Sequence, residues 1–128
     1  MIERVESYFN FGDERGSLTG LVNFSTWEEA NLISSIEGIE RGNHYHKETT
    51  ELFVILDGKI KVSTQLVKEE KAVGEVVEEI VSSGDVFLIK TNILHTFICL
   101  EKSKWINMLD RKMDQKNPDI HRIVPHDT

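Results

Sequence analysis

The stretch Gly38-Ile39-Glu40-Arg41-Gly42-Asn43-His44-Tyr45-His46-Lys47-Glu48-Thr49-Thr50-Glu51-Leu52-Phe53-Val54-Ile55-Leu56-Asp57-Gly58 decides how this chain is read. Its second half is a β-strand by composition. Leu52 to Leu56 are consecutive apolar residues of the kind that favour a pleated, buried backbone. Phe53 and Ile55 fall on one face, and Leu52, Val54 and Leu56 on the other. A strand apolar on both faces needs cover on both. Asp57-Gly58 can take positive φ at both turn positions, and Lys59-Ile60-Lys61-Val62 then alternates charged with apolar. That pattern predicts a tight β-hairpin. The first half is polar and carries His44 and His46 two apart, so on a strand both imidazoles share a face. Glu51 opens the apolar strand.

Working outward, short Val- and Ile-rich runs recur between turn residues. Glu75 to Val81 is one candidate strand. Ser82-Ser83-Gly84-Asp85 turns the chain into Val86 to Ile89, and His95 to Leu100 and Trp105 to Leu109 are joined by Glu101 to Lys104. About nine short strands at this spacing predict an all-β sandwich or barrel. Helix signals are weak. Thr26 and Glu29 form a capping box within Ser25 to Ala30, enough for a turn. Lys68 to Gly74 reads as an exposed hairpin loop. The polar tail after Asp110, with Asn117-Pro118-Asp119, reads as a surface wrap. With no repeat or linker, residues 1–128 read as a single domain.

Composition narrows the function classes. The 128 residues carry a formal net charge of −7 and no Lys/Arg-rich run, which argues against a nucleic-acid partner and leaves small anions open. Cys99 is the only cysteine, so there is no intramolecular disulfide, and its apolar neighbours predict a buried small hydrophobe. No segment has the length and apolarity of a membrane span. The start, Met-Ile-Glu-Arg-Val-Glu, lacks an apolar signal core, so no membrane partner is expected and the cytoplasm is the expected compartment.

The chemistry lies in the histidines. Beside His44, His46 and Glu51, the candidate ligands include His95, which begins a later strand. Three imidazoles and a carboxylate converging inside a barrel make a first-row metal site. The competing reading is a polar strand face. His121 and His126 sit in the polar tail and are given no role.

These residues resemble the cupin family. Its first motif runs Gly, five residues, His-x-His, three or four residues, Glu, six residues, Gly; Gly38, His44, His46, Glu51 and Gly58 satisfy each spacing. In the second motif Gly84 and His95 fit, while Lys90, Asn92 and Cys99 replace the family's Pro, Gly and Asn. Together the motifs cover Gly38 to Cys99, about half the chain. The resemblance implies an all-β, cupin-type double-stranded β-helix (a jelly-roll barrel) with little helix. It also implies one divalent metal ion on His44, His46, Glu51 and His95. Zinc is the first choice, and iron, manganese, nickel or copper suit the same donors.

The run Arg41 to Lys47 is similar to cupins that act on nucleotide-linked sugars. One group is the dTDP-sugar 3,4-ketoisomerases, with an Arg-Gly-x-His-x-His-Lys segment. Another is the zinc-bearing cupin domain at the end of capsular-polysaccharide reductases. Asp13 to Leu18 also resembles the start of the ketoisomerases, but these have Gln where Glu51 stands; Glu51 and Tyr45 match the metal-binding domain better. The resemblance implies isomerase- or epimerase-like chemistry on a nucleotide sugar in surface polysaccharide biosynthesis. The alternatives are a metal-dependent dioxygenase or a non-catalytic cupin that binds a small ligand.

Arg41, Asn43 and Lys90 are candidate contacts for a diphosphate. In a metal-free site His44 or His46 would be the acid–base group; with a metal bound, their lone pairs are committed to it. Tyr45 alternates with them and is predicted to pack elsewhere. Finally, the outer face of Leu52, Val54 and Leu56 needs cover, and no helix is long enough to supply it. A homodimer is therefore expected, with an N-terminal strand, Ile2 to Phe9, crossing to the partner.

Overall fold

The computed structural model describes residues 1–123; His126 lies outside the described residues. The chain forms β1 (Glu3–Arg4), β2 (Phe9–Asp13), β3 (Gly16–Gly20), β4 (Glu29–Ser35), β5 (Glu40–His44), β6 (Glu51–Asp57), β7 (Lys59–Lys68), β8 (Lys71–Ser82), β9 (Val86–Ile89), β10 (Ile93–Cys99) and β11 (Ser103–Leu109). No helix occurs among the described residues, so none is long and apolar enough to cross a membrane. The fold is an all-β jelly roll. A five-stranded sheet, β1-β9-β6-β11-β4, faces a four-stranded sheet, β5-β10-β7-β8, and β2-β3 form a separate hairpin.

From β4 onward the chain passes from one sheet to the other at every connection except the β7–β8 hairpin. Asp57-Gly58 is therefore a corner, and the predicted hairpin does not form: β6 pairs with β9 and β11, and β7 with β8 and β10. Glycine is required there because Gly58 has φ 100° and a Cβ would lie 2.6 Å from the Lys102 carbonyl oxygen. The true hairpin comes next. Leu66, Val67 and Lys68 pair with Val73, Ala72 and Lys71, so the expected Lys68–Gly74 loop shrinks to Glu69-Glu70. Both turn residues have positive φ, the twist that suits a two-residue hairpin. The capping box does not form either. Glu29 begins β4, which is drawn into the ladder with β11 from Glu29↔Leu109 onward.

The core lies between the sheets. Phe53, Ile55, Ile60, Val62, Val81, Phe87, Ile89, Phe97, Cys99 and Trp105 are all buried in it, Cys99 as expected. Leu52 and Val54 face outward and are buried as well, in a second cluster with Val86. Their cover comes from this same chain: Val5, Val22, Trp27, Leu88, Ile106 and Met108. The expectation that a partner must cover this face is thus corrected for Leu52 and Val54, while Leu56, the third residue of the face, stays exposed. The crossing strand Ile2–Phe9 is corrected as well, since Glu3 and Arg4 pair with Leu88 and Phe87 of their own chain and Phe9 belongs to β2.

Val54→Glu therefore tests folding. It places a carboxylate in the sealed outer cluster and should lower stability by on the order of 3 kcal/mol, read from the urea midpoint. Val76→Glu, at an exposed position of β8, should stay within about 0.5 kcal/mol of the parent. Equal midpoints for the two variants would contradict this packing.

Candidate metal centre

Three strands and the segment after one of them deliver the candidate ligands. Glu51 opens β6, His95 lies in β10 and His44 ends β5; His46 follows β5 by two residues. β5 and β10 are antiparallel, with His44 opposite His95 and Gly42 opposite Thr96, so Asn43 is an extra, bulged residue. Gly42 at φ 100° and Asn43 at φ 57° make the bulge. A Cβ on Gly42 would come within 2.7 Å of the His95 carbonyl oxygen, so glycine lets the two histidine-bearing strands approach. The bulge turns His44 toward His95, their rings 4.8 Å apart.

One ligand atom from each of His44, His46, Glu51 and His95 lies within 4.8 Å of every other. His46 Nε2 contacts Glu51 Oε1, and His95 Nε2 is 3.5 Å from the same oxygen. The outer nitrogens are held by the backbone: His46 Nδ1 is 2.5 Å from the Asp119 carbonyl oxygen and His95 Nδ1 is 2.9 Å from that of Ile93. Carbonyls accept, so both Nδ1 atoms are donors and both Nε2 atoms face the centre. Asn107 donates to Glu51 Oε2 at 2.5 Å. These donors, at this spacing and with this outer support, fit a divalent ion.

The site's charges are strongly coupled. Burial pulls the Glu51 carboxyl toward its neutral form, but hydrogen bonds from His46 and His95 outweigh burial and keep it ionised. Burial also pulls down the pKa of His46, and the Glu51 bond more than reverses this. His44 has no such partner. Burial first, then the charges of His95 and His46, take it down to about 4. It is neutral at neutral pH, with a lone pair to offer.

A cavity of about 320 Å³ opens onto the cluster. Phe53, Phe97 and Trp105 form its apolar wall; Glu29, Asn31, Arg41 and Asn107 supply polar groups. Arg41 Nε donates to Ser35 Oγ and its Nη2 to the Ser34 carbonyl oxygen at 3.4 Å, which fixes the guanidinium on the wall. The other two candidate diphosphate contacts are not on this wall. Lys90 is exposed and faces Glu3 Oε2 at 3.4 Å, because β9 carries it to the side where β1 docks. Asn43 serves the bulge, its carbonyl oxygen accepting from Arg122 at 3.0 Å. Tyr45 is buried away from the site against His121, as the alternation predicted.

The sequence reading passed over three contributors. Asn107 and Trp105 alternate on β11 and both point inward; that period is visible in Trp105-Ile106-Asn107-Met108-Leu109. Asp119 gave no local signal. The tail that carries it pairs with the body: His121 and Tyr45 exchange two backbone hydrogen bonds of 2.9 Å. Burial works against the charge of Asp119, but donors from Lys47, Glu48, Thr49 and His121 hold its pKa down at about 2.

The His44 environment predicts a pH effect in metal-free protein. Its folded pKa of about 4 lies below the ordinary histidine value of 6.5. As pH falls through that window the unfolded chain takes up a proton that the folded chain refuses, so this group lowers folded stability. By NMR, the His44 ring resonances should keep their neutral positions at pH 6 and move only near pH 4. A midpoint at the ordinary value would contradict the geometry.

With this geometry in hand, comparison with known proteins is informative. No curated protein gives a significant sequence match. Among solved structures, the capsular polysaccharide assembling protein CapF from Staphylococcus aureus superposes with a TM-score of 0.67 at 24% identity, over 90% of this chain and 34% of CapF. The chain thus spans about a third of that protein's length. The sugar 3,4-ketoisomerase QdtA from Thermoanaerobacterium thermosaccharolyticum, in complex with TDP, gives 0.73 at 16% identity, over 94% of this chain and 87% of QdtA. The dTDP-4-dehydrorhamnose 3,5-epimerase of Bacillus anthracis, with TDP and PPi bound, gives 0.71 at 19% identity, over 92% and 74%. All three share the barrel fold found here. The profile of one sequence family, the polysaccharide biosynthesis C-terminal domain, matches residues 11–120, most of the chain, and the chain belongs to that family.

Proposed function

We propose that this chain is a metal-binding cupin with isomerase- or epimerase-like chemistry on a nucleotide-linked sugar of surface polysaccharide biosynthesis. One observation carries the reading: three imidazoles and a carboxylate meet at the floor of an aromatic-walled cavity. The family match and the barrel neighbours named above support it. His44, His46, Glu51 and His95 would hold the ion. A divalent ion there would polarise a sugar carbonyl or hydroxyl oxygen as a Lewis acid. The remaining steps belong to the chain. The cavity is at the small end for a ligand site, so it takes a sugar ring and leaves the nucleotide at the mouth. Trp105 and Phe97 offer flat apolar faces to that ring. Arg41 brings positive charge to the wall for a phosphate, and Asn31, 2.9 Å from Asn107, offers amide contacts to hydroxyls.

Should the site work without metal, the geometry favours His44 as the acid–base group. His46 is turned into Glu51, whereas His44 is only partly buried, lines the cavity and is neutral near pH 7. Elemental analysis decides between these readings. Protein purified without chelator should carry close to one metal per chain, and His46→Ala should lose it. A thermal-shift panel of dTDP-, UDP- and GDP-sugars should then find a stabilising ligand. At a hundred times its dissociation constant it adds about 2–3 kcal/mol. No stabilisation by any of them at millimolar concentration sinks the sugar reading, and oxygen uptake by the iron-loaded protein would favour the dioxygenase.

The expected homodimer has a different basis from the one first drawn. Strands β2 and β3 pair only with each other, and Phe11 and Leu18 on them are 52% and 58% exposed. A lone two-stranded hairpin is marginal in water. We propose that a second copy of this chain covers it. Light scattering at micromolar concentration should give a dimer, and Phe11→Glu with Leu18→Glu a folded monomer. A wild-type monomer would rule the dimer out.

A further inference from the structure

We propose that Asp119 is a positioning residue for the centre, fastening the loop between His46 and Glu51 and fixing the orientation of the His46 ring. Every polar group of this residue is engaged. Oδ1 accepts from the Lys47 amide at 2.9 Å and is 2.9 Å from His121 Nε2. Oδ2 accepts from the Glu48 amide at 2.8 Å and from the Thr49 hydroxyl at 2.9 Å. Its carbonyl oxygen takes the Nδ1 proton of His46 at 2.5 Å. Its own amide is 3.2 Å from Met113 Sδ. A single residue of the tail therefore holds four consecutive residues, 46 to 49, and Thr49 is buried beneath it.

Position in the fold makes this matter. The ladder of β5 ends at His44, and β6 begins at Glu51. Between them the isolated Tyr45–His121 bridge and the Asn92 amide, bonded to the His46 carbonyl oxygen at 2.7 Å, hold the backbone of the first two residues, Asp119 serves Lys47 to Thr49, and Asp110 holds Thr50. A carboxylate suits the task because its four partners are all donors. Asparagine would set its NH₂ against one pair of them and so lose either the Lys47 amide or the Glu48 amide as a donor. The ring contact matters separately. A histidine that donates Nδ1–H to a carbonyl presents Nε2 to the centre, and outer contacts of this kind typically change metal affinity ten- to a hundredfold.

The inference rests on the metal reading above only for its affinity readout; the ring orientation can be read without metal. The test compares wild type with Asp119→Ala and Asp119→Asn. Cobalt(II) is the probe, since its visible d–d bands report coordination geometry. Both variants should bind cobalt and zinc ten- to a hundredfold more weakly and shift the cobalt bands. In metal-free protein the His46 ring N–H should give a slowly exchanging, low-field proton resonance; the variants keep the backbone carbonyl but lose its side-chain anchors, so this proton and the Lys47 and Glu48 amides should all exchange faster in them. Variants that fold and keep wild-type affinity, cobalt bands and ring-proton exchange would overturn the proposal. If Asp119→Ala does not fold, Asp119→Asn decides by the same readouts. If the wild type binds neither metal, the metal reading fails, and the ring-proton exchange alone decides the role of Asp119.

Discussion

Glu51 keeps an ionised carboxylate at 6% side-chain exposure inside the barrel. An unpaired charge so placed costs several kcal/mol, so each oxygen needs a partner with good geometry. Oε1 faces His46, with His95 at 3.5 Å, and Oε2 receives Asn107. The need then passes outward. His46 must turn Nε2 inward, which requires an acceptor behind it, and the Asp119 carbonyl oxygen is that acceptor. His95 is braced in the same way by the Ile93 carbonyl oxygen. Among the described residues no buried side-chain nitrogen or oxygen lacks a partner. That is the condition under which a buried polar network specifies one arrangement.

The period of two along each strand stacks this network on an aromatic layer. Glu51 is followed on its face by Phe53 and Ile55, and His95 by Phe97 and Cys99; on the antiparallel β11, Asn107 is followed by Trp105 toward the same end. Phe53 and Phe97 lie 4.9 Å apart, and Phe97 and Trp105 5.7 Å. The rings and the polar layer together line the cavity. Low polarity beside the cluster strengthens each electrostatic contact within it. The same rings also line the cavity, so a single set of side chains serves as core and as ligand wall.

What could be read from the chain follows the range of each signal. Three of the ligands were legible because their spacing is local: His44 and His46 two positions apart, Glu51 five positions on at an apolar strand start; His95 was legible from its spacing to Gly84. The all-β character was legible from composition for the same reason. Turn chemistry at Asp57-Gly58 predicted a change of direction correctly, but local residues do not say which sheet receives the chain. The covered outer face was misassigned because its cover, Val22 and Trp27 above all, comes from segments without periodicity. Asn107 looks like any polar residue of an alternating strand until β11 is known to lie beside β6. Asp119 is 70 residues or more from the loop it holds, counting the separations of 70 to Thr49 and 72 to Lys47. Lys90 stands where the family's motif has proline, yet it faces β1, a pairing that no motif encodes.

The four candidate ligands are not equally constrained. Glu51 sits on β6, flanked by β9 and β11, and His95 on β10, flanked by β5 and β7. Both strands are hydrogen-bonded along both sides, so shifting either side chain means disturbing a ladder. His44 ends an edge strand beside a bulge, and His46 lies beyond that strand. One half of the centre is therefore fixed by the sheets and the other by side-chain and tail contacts, which open at lower free energy than a central ladder does. The two histidines there are pushed in opposite directions, His44 toward its neutral form by burial and His46 toward its protonated form by Glu51. The barrel thus combines a carboxylate–imidazole pair braced by ladders on both sides with an imidazole pair held by side-chain and tail contacts.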